Sequence, residues 1–380
     1  MSGEAVSFEL RNERAERVVQ TALSRAARLT KPGVGVLFVS GALAEQLPSV
    51  ARALASGAPQ HAWLVAATLG VLTERGELER QSAAAGLVTS AVRGRGVVLQ
   101  THAADFGEEL GQVLRESPAA SALTLIRADR FEEGALEALS RNVGAPRSGR
   151  VFGGGSLPGA DVFLVERGEI RQGAAAALVV AGLGPARITA SPACRLLGPL
   201  RRVTEMRGPL LLGLEGERAL DVLGASTQSL EDQPLILAAV AGRADETEAE
   251  GAKPPLLLRA IQGVDPSRGG ILLGEGLEVG ARVAFAIRDR HAARHDLESH
   301  LRKLAQSTAG SAPRFGVYVS CVGRGEALYG VSDVDVKLVR SRFAEMPLVG
   351  MHSAFELAPF GDAVALQLYT GVLALFTAPS

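Results

Sequence analysis

The chain has 380 residues, of which 47% are hydrophobic, and its 40 basic and 41 acidic residues leave a formal net charge of −1. This length predicts more than one domain, and the composition is that of a globular protein rather than a disordered one. The nearly cancelled charge argues against a nucleic-acid-binding surface, and apolar runs shorter than the roughly 18–20 residues of a spanning helix argue against a membrane segment.

The N-terminus and the cysteines indicate the compartment. The first sixteen residues carry four glutamates and no apolar stretch, so we expect no secretory signal and a cytoplasmic protein. Cys194 and Cys321 are too far apart in sequence to indicate a disulfide framework or a thiolate metal cluster. The sequence predicts neither a cofactor nor a metal.

The N-terminal half mixes predicted helices and strands. Residues 9–29 have apolar side chains on one helical face, and Lys31-Pro32-Gly33 ends that helix. Strands are then predicted at 34–41, 61–72 and 84–92, and at "GVVLQTHA" and "ALTLIRAD", with helices at "VARALAS", "FGEELGQVLRES" and "EEGALEALSRNV". The segments "VFGGGSL", "DVFLVERGEIRQ" and "GAAAALVVAGL" predict an antiparallel meander, because their connections are too short for parallel crossovers.

The C-terminal half repeats this mixture. Strands are predicted at "PPLLLRAIQGVD", "GGILLGEGL", "ARVAFAIRD", "RFGVYVSC", "PLVGMHSAFELAPFG" and "AVALQLYTGVLALFT", and helices at "LESHLRKLAQST" and "SDVDVKLVRSRFAEM". Because hairpins are frequent and strand–helix alternation is incomplete, we predict an α+β fold rather than a doubly wound parallel sheet. Two domains of mixed, antiparallel-rich sheets flanked by helices, a layered sandwich, should meet near residues 205–220.

The segment "FGGGS" (152–156) is a candidate anion site. Gly154 and Gly155 free the backbone to turn N–H groups toward a ligand, and Ser156 adds a hydroxyl. It lacks the Gly-Lys-[Ser/Thr] ending of a phosphate-binding P-loop. A glycine turn between two strands is the alternative interpretation.

A histidine pair is the candidate metal motif. His291, His295, Glu298 and Arg302 fall on one helical stripe, and two histidines four residues apart bind zinc when a third ligand converges. The His-Glu-x-x-His order is absent, so we interpret the stripe as a solvated helix face.

Cys321 ends a predicted strand just before Arg324. A nearby cation lowers the pKa of a thiol, but nucleophilic catalysis also needs a base, for which His352 is the candidate. The alternative is a small buried residue at a packed strand end, and we predict that Cys321 is buried and unreactive.

Glu356 lies in the apolar run "GMHSAFELAPFG". A buried carboxylate needs a partner, and Arg324 is the natural candidate, either as a structural ion pair or as the second arm of a polar pocket. Exposure of Glu356 to solvent is the alternative.

Three C-terminal segments carry a family likeness. "VYVSCVGRGEALYG", "MPLVGMHSAFELAP" and "LQLYTGVLALFT" resemble the C-terminal half of FIST proteins, with its Ser-Cys-x-Gly-Arg-Gly and Gly-x-x-x-x-x-Glu-[Ile/Leu]-x-Pro segments. "VAATLGVLTERGELE" and "VFGGGSL" resemble the family's N-terminal domain. The resemblance covers about residues 35–376. It implies a FIST N-terminal-like domain over 33–215 and a FIST C-terminal-like domain over 216–380, and the helical periodicity noted above adds an N-terminal helix over 1–32.

This resemblance implies an intracellular bacterial sensory module, not an enzyme, that binds a small ligand such as an amino acid or related metabolite. The signal would pass to a separate signalling protein. Where the family often has a Gly-Cys-Ser/Thr strand end, this chain has Ala66-Ala67-Thr68, so only the Thr68 hydroxyl remains.

We expect the ligand carboxylate at Arg324 and its ammonium at Glu356, from charge complementarity. The full set of expected ligand-binding residues is Arg324, Glu356, Cys321, Gly323, Gly350, Gly154, Gly155, Ser156 and Thr68. Two alternatives stay open: a thiol- or threonine-dependent hydrolase, which needs Cys321 within reach of His352, and an interaction scaffold without a small ligand.

Overall fold

The computed structural model describes residues 4–90, 92–99, 102–131, 133–145, 147–230, 234–242 and 254–379. The strands of this part are, in chain order, β1 (Ala5–Arg11), β2 (Gly33–Ser40), β3 (Ala62–Ala67), β4 (Gly70–Thr73), β5 (Gly76–Glu79), β6 (Ala83–Ser90), β7 (Arg93–Val98), β8 (Ser121–Arg127), β9 (Val151–Ser156), β10 (Val162–Glu166), β11 (Glu169–Gly173), β12 (Ala175–Ala181), β13 (Arg187–Pro192), β14 (Cys194–Leu196), β15 (Arg201–Arg207), β16 (Leu210–Leu214), β17 (Glu217–Arg218), β18 (Ile236–Ala241), β19 (Leu256–Asp265), β20 (Gly270–Leu273), β21 (Arg282–Arg288), β22 (Pro313–Cys321), β23 (Leu348–Ser353), β24 (Glu356–Phe360), β25 (Ala363–Gln367) and β26 (Thr370–Thr377).

The α-helices of the same part are α1 (Ala15–Ala27), α2 (Leu47–Gly57), α3 (Ala103–Glu116), α4 (Glu133–Val143), α5 (Ala219–Thr227), α6 (Arg290–Ser307), α7 (Gly325–Tyr329) and α8 (Val334–Arg342). Among them no helix is long and apolar enough to span a membrane.

The chain forms two compact units. The first comprises Met1–Ser191, Leu297–Leu366 and Thr370–Ser380, and the second comprises Pro192–Asp296 and Gln367–Tyr369. These units do not follow the expected division between residues 215 and 216. The physical reason is strand pairing, because β4 pairs with β23 and β9 pairs with β24. Both halves of the sequence therefore contribute to the first unit.

The first unit contains three six-stranded mixed sheets. Their strand orders are β1-β6-β2-β3-β10-β11 for sheet 1, β25-β24-β9-β8-β12-β7 for sheet 2 and β13-β26-β22-β23-β4-β5 for sheet 3. Each sheet holds one parallel pair: β2 with β3, β8 with β9, and β22 with β23. A helical crossover joins each pair, whereas the other pairings described are antiparallel, so the predicted α+β class is confirmed.

The second unit is built on one antiparallel sheet. Its order is β14-β21-β15-β16-β20-β19-β18, and β17 pairs with β16. An additional pairing of β18 with β21 closes the sheet on itself.

Apolar clusters define the layers of the first unit. The central apolar core takes side chains from all three sheets, among them Phe38, Leu125 and Val319. α1 and α2 pack on the other face of sheet 1, and α6 and α8 pack on the other face of sheet 3. In α1 the buried residues Ala15, Val18, Ala22 and Ala26 recur at helical spacing, which explains why this segment is a helix.

Two sequence expectations need correction. The expected helix over 1–32 is shorter than predicted, because residues 5–11 form a strand that pairs with β6 before α1 begins at Ala15. The expected meander is also wrong. β9 pairs in parallel with β8, and the β10–β11 hairpin belongs to sheet 1. Short connections between strands are equally compatible with a chain that passes from one sheet to the next.

Candidate functional site

The expected ligand-binding residues converge in the first unit. Cys321 ends β22, Gly323 and Arg324 follow it, and Glu356 begins β24. Glu356 is directly paired with Gly154 of β9, and the N–H of Leu157 donates to the carbonyl of Ala67, next to Thr68. Long-range strand pairing therefore assembles segments that are far apart in sequence.

Strand register separates this region into two faces. In the parallel pair of β22 with β23, Ser320 lies opposite His352 and Cys321 lies opposite Ser353. Successive side chains of a strand point to opposite faces of the sheet. Cys321 and His352 therefore lie on opposite faces, which removes the geometric basis for a Cys–His dyad.

One face carries a saturated charged cluster, the outer cluster, formed by Tyr318, Arg324, Tyr329 and Asp335. Arg324 is fully buried and donates from Nε to Asp335 Oδ2 (2.8 Å) and from Nη2 to Asp335 Oδ1 (3.1 Å). Its Nη1 donates to the carbonyl of Ser191 (2.9 Å), and Nη2 also donates to the Tyr329 hydroxyl (3.1 Å). Both tyrosine hydroxyls donate to Asp335 at 2.8 Å.

The electrostatics of the outer cluster favour a fixed ion pair. Burial opposes ionisation of Asp335, but Arg324 and the hydrogen bonds from the two tyrosines hold its pKa below the usual value. Burial also opposes the charge on Arg324, yet Asp335 and the tyrosines raise its pKa. The partner of Arg324 is thus Asp335, which corrects the expected pairing with Glu356. A guanidinium engaged at all three nitrogens is a positioning group rather than an open fork for a ligand carboxylate.

The opposite face carries the inner cluster, formed by Cys321, Ser353, Glu356 and Thr370. Glu356 is fully buried; its Oε1 accepts from the Ser353 hydroxyl (2.6 Å) and its Oε2 accepts from the N–H of Thr370 (3.1 Å). Burial raises the pKa of Glu356 to about 8, with partial offsets from Ser353, Thr370, Arg324 and the Cys321 thiol. Burial therefore favours the protonated form of this carboxyl group at neutral pH.

Cys321 is a buried member of this cluster. Its side chain is 4% exposed, and its sulfur accepts from the N–H of Gly323 at 3.4 Å. The predicted burial of Cys321 is confirmed, and its lack of reactivity stays a prediction. Gly323 contributes a backbone donor to the thiol.

The "FGGGS" segment is a strand, not a turn or an anion cradle. Residues 151–156 form β9, and the N–H of Gly155 donates to the carbonyl of Phe355 at 2.7 Å. A Cβ on Gly154 would lie 2.6 Å from that carbonyl oxygen and 2.9 Å from Val319 Cγ1, so the glycine permits close packing. The Ser156 hydroxyl lies on the same face of the strand as Gly154 and Glu356, fully buried and without a hydrogen-bond partner.

Thr68 and Gly350 both contact other atoms of the protein. The Thr68 hydroxyl is 2.9 Å from the carbonyl oxygen of Gly70 and 3.3 Å from that of Val39, so a backbone acceptor satisfies it. A Cβ on Gly350 would lie 2.0 Å from the carbonyl oxygen of Tyr318 and 2.6 Å from Leu72 Cδ1. The space at Gly350 is filled by protein rather than open to a ligand.

A carboxylate–histidine cluster of Glu77, Glu79 and His352 lies on the outer face and was not predicted. One ligand atom from each residue lies within 4.8 Å of the others. Burial raises the pKa of Glu77 to about 8, helped by Asp335, while burial lowers the pKa of His352. The available signal was the Glu-x-Glu spacing in "GELE", because alternate residues of a strand share a face.

The two histidines of the predicted stripe lie in the second unit, on the N-terminal turns of α6, whereas Glu298 and Arg302 belong to the first unit. His291 and His295 are exposed and line a cleft of about 720 Å³ together with Cys194, Arg195 and Asp289. The leucines of the same helix, Leu297 and Leu301, are buried in the first unit. The histidines are thus exposed and the leucines buried, as the helical periodicity predicts.

Two family models match the chain, one in each half of the sequence. The model described as FIST N domain matches residues 33–217, and the model described as FIST C domain matches residues 217–359. FIST domains are in general sensory and signal-transduction domains.

The curated relatives are mycobacterial. An uncharacterized protein of Mycobacterium tuberculosis is 34% identical over 193 residues, covering 49% of this chain and 49% of the relative. An uncharacterized protein of Mycobacterium bovis is 30% identical over 190 residues, again 49% of each. The chain thus spans about half the length of the curated relatives it matches.

Proposed function

The chain belongs to the FIST family, and from this premise we propose that it is a sensory protein whose inner cluster binds a small ligand with an ammonium group, such as an amino acid or related metabolite. The signal then passes to a separate signalling protein in a bacterial cytoplasm. The mycobacterial relatives support the bacterial setting.

The observation that carries this proposal is the environment of Glu356. A fully buried ionised carboxylate costs free energy unless a cation compensates its charge. The donors to Glu356 in the described structure are the neutral groups of Ser353, Thr370 and Cys321, and its pKa is about 8. An ammonium group would replace the bound proton and stabilise the ionised carboxylate.

Ser156 supplies the second polar contact. Its hydroxyl has no hydrogen-bond partner and lies on the face of sheet 2 that carries Glu356 and Gly154. A buried hydroxyl without a partner is destabilising, so a ligand that pairs with it gains affinity. Arg324 is not assigned to the ligand, because Asp335, Ser191 and Tyr329 already accept its donors.

Burial of these groups has a kinetic consequence. Glu356 and Ser156 are both fully buried. Binding therefore requires a local opening of the strand ends, and we expect association slower than the typical 10⁵–10⁷ M⁻¹s⁻¹, roughly, of rigid partners.

The test is a thermal-shift screen of the full chain against the twenty amino acids, simple primary amines and small dicarboxylic acids. We expect saturable stabilisation by an amine-bearing compound, which calorimetry then follows in variants. Glu356→Gln should weaken binding by about tenfold or more, since it removes the charge that pairs with the ammonium.

Matched hydroxyl variants sharpen the assignment. Ser156→Ala should weaken binding without loss of stability, because it removes an unpaired hydroxyl. Thr124→Val is the control: Thr124 also has an unpaired buried hydroxyl, but its register partner is Gly153, on the opposite face from Gly154. Stabilisation by acids that lack an amine, or equal binding by Glu356→Gln and the parent, would contradict the proposal.

A further inference from the structure

The outer face of sheet 3 carries a group of side chains that the proposed ligand site does not use. Glu77 and Glu79 are two residues apart in β5, so they share a face. Glu79 lies opposite Gly70 of β4, and Gly70 lies opposite His352 of β23. The strands β5 and β23, which flank β4, therefore present two carboxylates and an imidazole to one point.

Gly70 makes room for this convergence. A Cβ at this position would lie 2.9 Å from His352 Cδ2 and 3.0 Å from the carbonyl oxygen of Leu78. The imidazole thus occupies the space above Gly70, on the side toward Glu79. A side chain at residue 70 would push the ring away from the carboxylates.

Unpartnered atoms point to a ligand at this position. His352 is 1% exposed, and its ring nitrogens lack a hydrogen bond of good geometry, although the backbone of Cys321 lies near the imidazole. Oε2 of Glu77 is also buried and without a partner. Buried polar groups are rarely left unpaired in folded proteins, and the ligand atoms of the three residues lie within 4.8 Å of one another.

The second oxygen of each carboxylate is held in place. Oε1 of Glu77 accepts from the N–H of Val336 at 3.2 Å, and Oε1 of Glu79 accepts from the N–H of Glu326 at 2.9 Å. Such hydrogen bonds orient carboxylates for coordination and leave one oxygen of each for an ion.

From this arrangement we infer that Glu77, Glu79 and His352 bind a divalent transition-metal ion. Ligands about 2.0–2.2 Å from one ion lie about 3–3.5 Å apart, so small side-chain rotations complete the site. One imidazole with two carboxylates suits Zn²⁺ or Mn²⁺ better than Ca²⁺ or Mg²⁺, which prefer all-oxygen sites.

Charge and access fit a cation. The carboxylate of Asp333 accepts from the N–H of Glu77 at 2.7 Å, and the buried cation Arg324 is paired with Asp335. Glu79 is only partly buried, which gives an ion a route from solvent. The Ser320 hydroxyl, opposite His352 and without a partner, lies on the same face and is suited to hold a metal-bound water.

The test uses the full chain after treatment with a chelator. Zn²⁺ and Mn²⁺ are titrated by calorimetry, with Mg²⁺ and Ca²⁺ in parallel, and Co²⁺ provides a visible spectrum that reports nitrogen and oxygen coordination. We expect one equivalent of Zn²⁺ per chain. Glu79→Gln and His352→Asn should each weaken binding by at least about 100-fold.

Two controls separate this site from adventitious binding. His291→Ala removes one member of the exposed histidine pair on α6 and should leave Zn²⁺ affinity and stoichiometry unchanged. Glu79 is partly exposed, so Glu79→Gln should fold even if His352→Asn does not. The inference is overturned if the parent binds no equivalent of Zn²⁺ or Mn²⁺, if Glu79→Gln binds as the parent does, or if His291→Ala abolishes binding. It is independent of the amine-binding proposal, since the two clusters lie on opposite faces and have separate titrations.

Discussion

Two buried carboxyl groups, Asp335 of α8 and Glu356 of β24, lie against opposite faces of sheet 3 near the end of β22 and differ in their partners. Asp335 on the outer face is 1% exposed and accepts from Arg324, Tyr318 and Tyr329. Glu356 on the inner face is equally buried, but neutral donors surround it. Burial disfavours ionisation in both, and only at Asp335 does a cation reverse the effect.

This contrast assigns different roles to the two clusters: the outer cluster stabilises the fold, and the inner cluster can respond to a cation. A buried ion pair with all its hydrogen bonds made is costly to disturb, so the outer cluster fixes the positions of β22, α7 and α8. A buried acid without a cation can change its protonation when a cation arrives. The inner cluster is therefore the more suitable place for a small ligand, although the sequence motif is centred on Arg324.

The largest expected effect is the loss of the ion pair. Arg324→Ala leaves the Asp335 carboxylate buried without its cation, and we expect the free energy of unfolding to fall by about 3–5 kcal/mol. Arg324→Lys should recover only part of this, because an ammonium cannot make the bidentate contact. Chemical denaturation of both variants measures the effect, and a loss below about 1 kcal/mol for Arg324→Ala would show that the pair does not fix the strand end.

The fold class was predictable because it depends on local patterns, whereas side-chain pairing depends on distant segments. "RFGVYVSC" and "SDVDVKLVRSRFAEM" were correctly assigned as strand and helix, and they became β22 and α8. Nothing in their sequence says that Asp335 reaches back to Arg324. Hydrophobicity and charge predicted a partner for Glu356, but Arg324, chosen from its place in the sequence motif, was the wrong partner.

The carboxylate–histidine cluster could not be predicted from the sequence for the same reason. Glu77 and Glu79 lie in a four-residue strand, and His352 lies more than 270 residues later in the sequence. Their proximity depends on the order β22-β23-β4-β5, which joins the two halves of the chain. A strand pairing between such distant segments cannot be deduced from periodicity alone.

The second prediction concerns the pH dependence of Glu356. Because its folded-state pKa is raised from 4.5 to about 8, the folded state keeps a proton that the unfolded state releases. Stability contributed by this group is therefore complete below about pH 4.5 and declines as pH rises toward 8, with a slope of up to about 1.4 kcal/mol per pH unit.

Glu356→Gln isolates this dependence. The difference in unfolding free energy between parent and variant, measured from pH 5 to 8, should change in favour of the variant as pH rises. Subtraction removes contributions from other groups such as Glu77, whose pKa is also raised. A difference that stays flat across this range would mean that Glu356 remains ionised in the folded protein.

The third prediction tests how the outer cluster divides its hydrogen bonds. The Tyr329 hydroxyl donates to Asp335 and accepts from Arg324, whereas the Tyr318 hydroxyl donates to Asp335. Tyr329→Phe should lower the free energy of unfolding by about 1–2 kcal/mol, since hydrogen bonds to charged groups are lost. Tyr318→Phe is the comparison, and an equal or greater loss in that variant would contradict the larger role assigned to Tyr329.

The smallest expected effect is the chemical modification of Cys321. Its thiol is 4% exposed, accepts from the N–H of Gly323 and contacts Glu356, so it is enclosed by protein. Cys194 is partly exposed in the second unit. Iodoacetamide should therefore label Cys194 first, and a Cys194→Ser variant should be labelled only at the rate at which the inner cluster opens. A ligand that occupies this cluster should slow that labelling further, whereas a metal on the opposite face should not.

Rapid labelling of Cys321 in the native Cys194→Ser variant would mean that the inner cluster is accessible and that its thiol is reactive. The contrast between a closed outer face and a responsive inner face would then need a different chemical basis.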